Sequence, residues 1–238
     1  MKLYIIRHAQ STNNALADHR DRECDPPLTE LGRRQVEIVA QHLATGTGLA
    51  PWEADSHNRP GYGITRLYCS PMWRALQTAQ PVGQALGLAP EVWIDIHEHG
   101  GIFLDHGEAG GIVGYPGKTR PEILAEFPNY VLPEGITEQG WWHQGCEDIS
   151  ACHGRAIKVA EELRSFQQWA ASDERIALVS HGGFINALLK ALFNQLPGHH
   201  IRYHCLNTAI SRIDFRSDGC LDVQFLNRVD HLPLELVS

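Results

Sequence analysis

The sequence has no long apolar run and no closely spaced pair of cysteines. Its first apolar stretch, residues 1–6, ends at Arg7 and is too short for a secretory signal or a membrane span. The six cysteines lie far apart and form no Cys-x-x-Cys pair, which argues against a disulfide framework and against a zinc ribbon. We therefore expect a cytoplasmic protein with free thiols.

Positive charge is also sparse. The chain has 20 Lys and Arg against 28 Asp and Glu, a formal net charge of −8, and no basic cluster has the density that nucleic acid or an anionic membrane requires. A local arginine pocket can still bind a small anion in an acidic chain. We expect a small anionic substrate and neither a nucleic-acid nor a membrane partner, and the sequence leaves the oligomeric state open.

The pattern of apolar residues predicts an α/β protein. Of the 238 residues, 43% are apolar and 20% are charged, as in ordinary globular domains. Short apolar runs alternate with stretches of helical period, which is typical of a largely parallel sheet. The predicted strands cover residues 3–6, 66–69, 92–96, 176–180, 209–215 and 221–226. Residues 217–219 form a turn between the last two, so one strand should run antiparallel.

Apolar residues at helical spacing predict four helices. One follows a Thr29 cap and buries a face over residues 36–43, and another covers residues 156–170. The remaining two cover residues 72–86 and 182–193. Because the helices lie between predicted strands, we expect them to be crossover helices packed on the sheet.

Two stretches lack a regular pattern. Residues 97–150 are rich in Gly, Pro, His and Trp, and only residues 121–127 are predicted to be helical. A long irregular stretch in a compact domain is usually a binding insert, so we interpret it as a cap over the site. A smaller insert at about 45–63 has no assigned role. We expect a single domain over residues 1–238 that carries both inserts.

Ionisable residues follow the ends of four predicted strands. Arg7 and His8 follow the first strand, Arg74 lies in the segment after the second, Glu98 follows the third and His181 follows the fourth. A single histidine among 14 is more often structural than functional. Since ligands bind at the carboxyl ends of strands in open parallel sheets, these residues together predict one crevice.

The sequence around these residues resembles a known family. Residues 7–12 read Arg-His-Ala-Gln-Ser-Thr, residues 70–79 read Ser-Pro-Met-Trp-Arg-Ala-Leu-Gln-Thr-Ala, and residues 180–183 read Ser-His-Gly-Gly. With the Asp-Pro-Pro-Leu-Thr segment that starts at Asp25, they resemble, in order, the motifs of the histidine phosphatase (phosphoglycerate mutase-like) superfamily. Residues 227–232 are similar to the end of its phosphatase branch. Ala9 and Gln10 depart from the usual Gly and Glu.

This resemblance implies a fold and an activity. The fold would be a three-layer α/β/α sandwich around a mostly parallel sheet, with a cap insertion. The activity would be hydrolysis of a phosphomonoester, a small phosphorylated metabolite, without metal or cofactor. His8 would be the nucleophile and would form a phosphohistidine. The cations Arg7 and Arg74 would keep His8 neutral and hold the phosphoryl oxygens through charged hydrogen bonds.

The resemblance also implies the remaining site residues. His181 would be the second histidine of the phosphate pocket, and Asn14 a neutral donor from the loop after His8. Gly182 could add a backbone N–H at a helix N-terminus, where phosphate is favoured. Glu98 would protonate the leaving alcohol and then deprotonate water, with Glu108 as the alternative carboxyl.

Three other interpretations are weighed against hydrolysis. A phosphoglycerate mutase would share the whole pocket, but the Glu-Arg-His-Tyr-Gly and Gly-Trp-x-Asp segments of that branch are missing here. A phosphate-binding protein without catalysis would not need His8, Glu98 and His181 together. The alternating His97 and His99 could suggest a metal, but no spacing indicates a third ligand.

Overall fold

The computed structural model describes residues 1–46, 61–169, 174–198 and 200–238. Most of the predicted insert at 45–63 lies outside the described residues, as does Ala170, the last residue of a predicted helical face. The strands in chain order are Lys2–Arg7 (β1), Arg66–Cys69 (β2), Glu91–Val92 (β3), Phe103–Asp105 (β4), Ile112–Gly114 (β5), Arg175–Ser180 (β6), Ile210–Phe215 (β7) and Leu221–Arg228 (β8).

Six of these strands form the central sheet, in the order β3-β2-β6-β1-β7-β8. Strand β1 is parallel to β6, and β2 is parallel to both β6 and β3. Strand β7 runs antiparallel to both of its neighbours, β1 and β8. The predicted mostly parallel sheet with one antiparallel strand is therefore confirmed.

Seven helices are present among the described residues. They are Thr12–Ala15 (α1), Glu30–Thr45 (α2), Trp73–Leu86 (α3), Gly107–Gly110 (α4), Arg120–Glu126 (α5), Ile149–Trp169 (α6) and Gly182–Leu192 (α7). The Thr29 hydroxyl caps α2 by accepting the N–H of Gly32 at 3.0 Å, and Gly46 ends the helix in the left-handed conformation. None of the helices described here combines the length and apolarity that a membrane span needs.

The side chains of β1 show why helices cover both faces of the sheet. Leu3 and Ile5 pack in the core beneath α6 and α7, whereas Tyr4 and Ile6 pack in the core beneath α2 and α3. All four are at most 1% exposed. Burying a side chain of this size is worth about 1.5–3 kcal/mol, so the alternation holds two helical layers on one sheet.

The predicted strand over residues 92–96 is wrong beyond Val92. Strand β3 pairs with the last two residues of β2, and its only other pairing among the described residues is a single bridge from Glu91 to Val131, so no ladder continues past Val92. The chain turns instead into a 3₁₀ helix, Ile94–Ile96, which ends with the His97 N–H donating to the Ile94 carbonyl at 3.2 Å. This turn directs Glu98 toward the start of α7.

Residues 97–150 contain the β4–β5 hairpin, α4 and α5. The predicted helix at 121–127 is confirmed by α5, which begins with a capping box between Thr119 and Glu122. Trp141 and Trp142 are each 5% exposed and pack in the same apolar core as α2 and α3. The tryptophan pair is therefore part of the packing of this segment.

Candidate active site

The parallel pairing of β1 with β6 brings two predicted site histidines together. Arg7 lies opposite Ser180 in the register, so His8 and His181 leave neighbouring strands at the same edge. The His8 N–H donates to the Ser180 carbonyl at 2.8 Å, and the two imidazole rings lie 4.9 Å apart, centroid to centroid. Both side chains are almost completely buried.

Hydrogen bonds assign the tautomer of His8. Nδ1 lies 2.7 Å from the Ala9 carbonyl oxygen, which can only accept, so Nδ1 carries the proton. Nε2 then has a free lone pair, and it accepts a hydrogen bond from Nε of Arg74 at 3.1 Å. The backbone of His8 is held as well, because the Asn207 amide donates to its carbonyl at 2.9 Å. The geometry presents Nε2 as the nucleophilic atom.

Electrostatics favour the neutral form of His8. Burial lowers its pKa well below the ordinary value, and the positive charges of Arg74 and Arg7 lower it further. Its hydrogen bond to the Ala9 carbonyl acts in the opposite direction, but is the smallest cause. The two arginines therefore lower the pKa of His8 as predicted, and burial lowers it more than they do.

Arg74 reaches the pocket from the first turn of α3. Asp25 supports this turn, since its Oδ1 accepts the Trp73 N–H at 2.9 Å and lies 3.9 Å from Nη1 of Arg74. Burial raises the pKa of Asp25 to about 6, and the charge of Arg74 opposes this shift. Asp25 thus fixes both the start of α3 and the guanidinium that contacts His8.

Ser70 orients His181. The Ser70 hydroxyl accepts the Met72 N–H at 3.3 Å and lies 2.7 Å from Nε2 of His181. The hydroxyl can donate to Nε2 while it accepts the Met72 N–H, and in this tautomer the proton of His181 is on Nδ1. That Nδ1 is buried and has no hydrogen-bond partner among the described residues.

Arg7 presents a second buried donor. Its Nη1 donates to the Cys205 carbonyl at 2.6 Å, while its Nε is buried and finds no partner in the part of the chain described. A Cβ placed on Gly182 would lie 3.4 Å from this Nε, so the guanidinium rests against the start of α7. Burial lowers the pKa of Arg7, and the charge of Glu98 opposes that shift.

Glu98 binds the N-terminus of α7. Its Oε1 accepts the N–H groups of His99 and Phe184, both at 2.8 Å, and its Oε2 accepts the Gly183 N–H at 3.1 Å. Its charge acts on both Arg7 and Arg74. The first amide of α7, that of Gly182, is not taken by Glu98 and stays a candidate phosphate donor.

The two remaining predicted residues differ in position. The Asn14 carbonyl Oδ1 accepts the N–H and hydroxyl of Ser11, both at 3.0 Å, and lies 3.4 Å from the amide nitrogen of Asn207 that holds His8. Glu108 is exposed on α4. Glu98 is held at the start of α7 and its charge acts on both pocket arginines, which favours it over the exposed Glu108 as the candidate acid.

A model of the histidine phosphatase superfamily (branch 1) matches residues 3–228. The chain belongs to this superfamily. It is 26% identical, over 224 residues, to a probable phosphoglycerate mutase of Yersinia pestis, with 93% of this chain and 88% of that protein covered.

Solved structures share the fold of this superfamily member. A phosphoserine phosphatase variant from Entamoeba histolytica, solved with phosphoserine, has a TM-score of 0.58 at 22% identity and covers 98% of this chain and 99% of its own. A mycobacterial glucosyl-3-phosphoglycerate phosphatase has a TM-score of 0.59 at 21% identity, and the match covers 96% of this chain and 99% of that protein's chain. The likeness confirms the predicted α/β architecture.

The two departures from the family motif serve local packing. The Ala9 N–H donates to the Thr78 hydroxyl at 3.1 Å, and its side chain is fully buried against Leu28. The Gln10 side chain accepts a hydrogen bond from the Thr29 hydroxyl at 2.7 Å, at the start of α2. Neither side chain replaces a donor or acceptor that holds the His8 ring.

Sequence reasoning missed three supporting residues. Ser70 and Asp25 lie within the family motifs, which could have marked them as candidate site residues. Their contacts with His181 and Arg74 were not predicted. No sequence motif indicated Asn207, because its hydrogen bond to His8 joins two segments that are 199 residues apart in the chain. Across the described residues, no three His, Cys, Asp or Glu side chains converge as a metal-binding group.

Proposed function

We propose that this protein hydrolyses phosphomonoesters of small metabolites through a phosphohistidine formed on Nε2 of His8. One observation carries the proposal. Nε of Arg7 and Nδ1 of His181 are buried donors without a partner among the described residues, and both side chains flank His8. A buried unpaired donor costs about 1–3 kcal/mol, which a phosphoryl oxygen would offset. The pocket is thus preorganised for an oxyanion next to a neutral nucleophile.

In the first half-reaction the Nε2 lone pair attacks phosphorus. A bond forms between Nε2 and phosphorus, and the bond from phosphorus to the ester oxygen breaks. Arg74 transfers its hydrogen bond from Nε2 to a phosphoryl oxygen, while Arg7 and His181 bind the others. Asn14 and the Gly182 N–H are further candidate donors. The developing charge is spread over donors that are in place before the reaction.

The leaving oxygen needs a proton, and Glu98 can deliver it from Oε2. Oε1 accepts two backbone N–H groups, which uses both of its lone pairs, whereas Oε2 accepts only one. The second lone pair of Oε2 can therefore carry the proton. In the second half-reaction Oε2 takes a proton from water, whose oxygen attacks phosphorus as the bond to Nε2 breaks. Inorganic phosphate leaves, and His8 and Glu98 return to their starting states.

The structural relatives support hydrolysis of small metabolites. One is named a phosphoserine phosphatase and the other a glucosyl-3-phosphoglycerate phosphatase, and both act on phosphate esters of small molecules. The names of such distant relatives do not identify the substrate of this chain. They favour a small phosphorylated metabolite over a phosphorylated macromolecule.

Hydrolysis of p-nitrophenyl phosphate tests the proposal. We expect wild-type protein to release phosphate with EDTA present and the His8→Ala variant to lose at least about 1,000-fold in kcat, since a missing nucleophile removes the covalent route. Gln10→Glu, which restores the usual motif residue, serves as a control for the departure at this position. Absence of phosphate release from this ester and from natural monoesters would overturn the proposal.

Phosphoglycerate mutase activity is the second candidate, because the relative from Yersinia pestis carries that name. Incubation of the protein with 3-phosphoglycerate and a catalytic amount of 2,3-bisphosphoglycerate distinguishes the two reactions. Formation of 2-phosphoglycerate faster than inorganic phosphate would favour the mutase. We expect inorganic phosphate to be the main product.

A further inference from the structure

A cavity of about 700 Å³ lies between the loop that follows α1 and the β4–β5 hairpin. Arg20 and Arg22 line it from the loop, and residues 103–107 line it from the hairpin. Its size is within the range of sites that hold small metabolites. No step of the phosphoryl transfer proposed above uses these residues.

The loop that carries Arg22 is fixed to the phosphate-binding turn. The Asn13 side chain donates to the Glu23 carbonyl at 2.7 Å and accepts the Glu23 N–H at 3.0 Å. The Thr12 hydroxyl donates to the Glu23 carboxylate at 2.9 Å. Asn13 directly precedes Asn14, the predicted phosphate donor, in α1. The same turn therefore positions Asn14 and, through Asn13, the backbone of Glu23 next to Arg22.

Arg22 is the unmatched cation of this cavity. Nε of its neighbour Arg20 is paired with Oδ2 of Asp18 at 2.9 Å. The one carboxylate among the cavity residues, that of Asp105, accepts the Gly107 N–H at 2.9 Å. Within the described part of the chain, no hydrogen bond or ion pair engages the guanidinium of Arg22.

The charge of Arg22 also reaches the phosphate pocket. It contributes to the lowered pKa of Arg74, for which burial is the main cause. Asp25, three residues after Arg22, lies 3.9 Å from Nη1 of Arg74, so the segment that carries Arg22 continues to the guanidinium that contacts His8. Arg22 is thus a candidate contact for the alcohol portion of a substrate whose phosphoryl group sits at His8.

We propose that Arg22 binds a second anionic group on the alcohol portion of the substrate, so that the preferred substrates are phosphomonoesters that carry a carboxylate or a second phosphate. The proposal rests on the hydrolase function proposed above and names its substrate class. An arginine fork binds either anion through two parallel hydrogen bonds. A neutral alcohol portion would leave this exposed guanidinium hydrogen-bonded to water alone.

Matched substrate pairs test the proposal. 3-Phosphoglycerate differs from glycerol 3-phosphate in a carboxylate, and fructose 1,6-bisphosphate differs from fructose 6-phosphate in a second phosphate. We expect wild-type protein to prefer the member with the carboxylate or the second phosphate in at least one pair, by about 10-fold or more in kcat/KM, because Arg22 would form charged hydrogen bonds with that group. The pair that shows the preference identifies the anion.

The variant Arg22→Ala should abolish this preference, and Arg20→Ala, in the same exposed loop, should retain it because Arg20 is paired with Asp18. The readout is the ratio of kcat/KM within a pair, which general damage to the fold does not change selectively. No preference in the wild type, or equal losses in both variants, would overturn the role of Arg22. Loss of hydrolysis of every ester would instead contradict the proposed function.

Discussion

His8 can attack phosphorus only while its Nε2 lone pair carries no proton. Burial and the charges of Arg74 and Arg7 lower its pKa well below the ordinary value, so the neutral imidazole persists at acidic pH. The Ala9 carbonyl holds the single proton on Nδ1. In the proposed mechanism His8 is therefore neutral before substrate binds, and substrate binding would only move the hydrogen bond of Arg74 from Nε2.

The ring signals of His8 should show no titration midpoint near pH 6.5, where an ordinary histidine titrates, because its pKa is lowered well below that value. Two-dimensional NMR of protein with labelled histidine checks this directly. A midpoint near pH 6.5 for His8 would contradict the electrostatic account of the nucleophile.

At the scale of elements, α7 positions both His181 and Glu98. His181 is its N-cap residue, and the Glu98 carboxylate binds the amides of Gly183 and Phe184 in the first turn. A carboxylate at a helix N-terminus is also stabilised by the helix dipole. The proposed general acid, Glu98, and the second pocket histidine, His181, are thus held by one helix end.

A side chain at Gly183 should disrupt this arrangement. A Cβ there would lie 2.6 Å from Oε1 of Glu98, so Gly183→Ala must displace the carboxylate. We expect kcat to fall about 10-fold to 100-fold, more for esters with a basic leaving alcohol than for p-nitrophenyl phosphate, since acid catalysis typically contributes about 100-fold to 10,000-fold. Steady-state kinetics on both esters measures this.

Gly154→Ala is the matched control for that substitution. Gly154 lies inside α6, and a Cβ there meets no atom within 4 Å. Alanine should raise the free energy of unfolding by about 0.5–1 kcal/mol, because glycine weakens helix interiors. Equal activity of Gly183→Ala and Gly154→Ala would contradict the role of Glu98 at α7.

Elements with a local signal could be predicted from the sequence. The Thr29 cap marked the start of α2, and alternating or helical apolar spacing marked β1 and α7. The end of β3 could not be predicted, because it depends on where its partner strand β2 stops. The same holds for the candidate site. Sequence motifs indicated His8 and His181 as candidate residues, whereas the contacts of Glu98 with α7 form only when distant segments of the chain pack together.

For the whole molecule, buried histidines should make stability sensitive to acid. Burial is the main cause that lowers the pKa of His97 and of His231 to about 4, and the pKa values of His8 and His181 are also lowered. In the unfolded chain each of these histidines binds a proton below about pH 6.5. In the folded protein the same histidine binds its proton only at a lower pH. Stability is therefore lost as the pH falls from about 6.5 toward 4.

We expect the free energy of unfolding to fall by about 2 kcal/mol for each of His97 and His231 between about pH 7 and about pH 5. Asp25 opposes this by about 1 kcal/mol, because its raised pKa of about 6 makes the folded state bind its proton first. Urea denaturation at the two pH values measures the change. The variant His231→Gln should reduce it, and equal stability of the wild type at both pH values would contradict the account.

The distribution of charge across the molecule agrees with a small anionic substrate. The chain carries a net charge of −8, yet Arg7 and Arg74 converge at His8, with Arg22 nearby. A local cationic pocket in an acidic chain favours a small anion and disfavours large polyanions. Substrate selection would then depend on the cavity that Arg22 lines.

The central claim is that His8 carries the phosphoryl group during turnover, and trapping the phosphoenzyme tests it most directly. Wild-type protein and the His8→Ala variant are mixed with a substrate, quenched in alkali during turnover and measured by intact mass spectrometry, with peptide mapping of the modified residue. We expect one added phosphoryl group on His8 of the wild type and none on the variant. Rapid phosphate release with no phosphohistidine, or a phosphoryl group on another residue, would contradict the account.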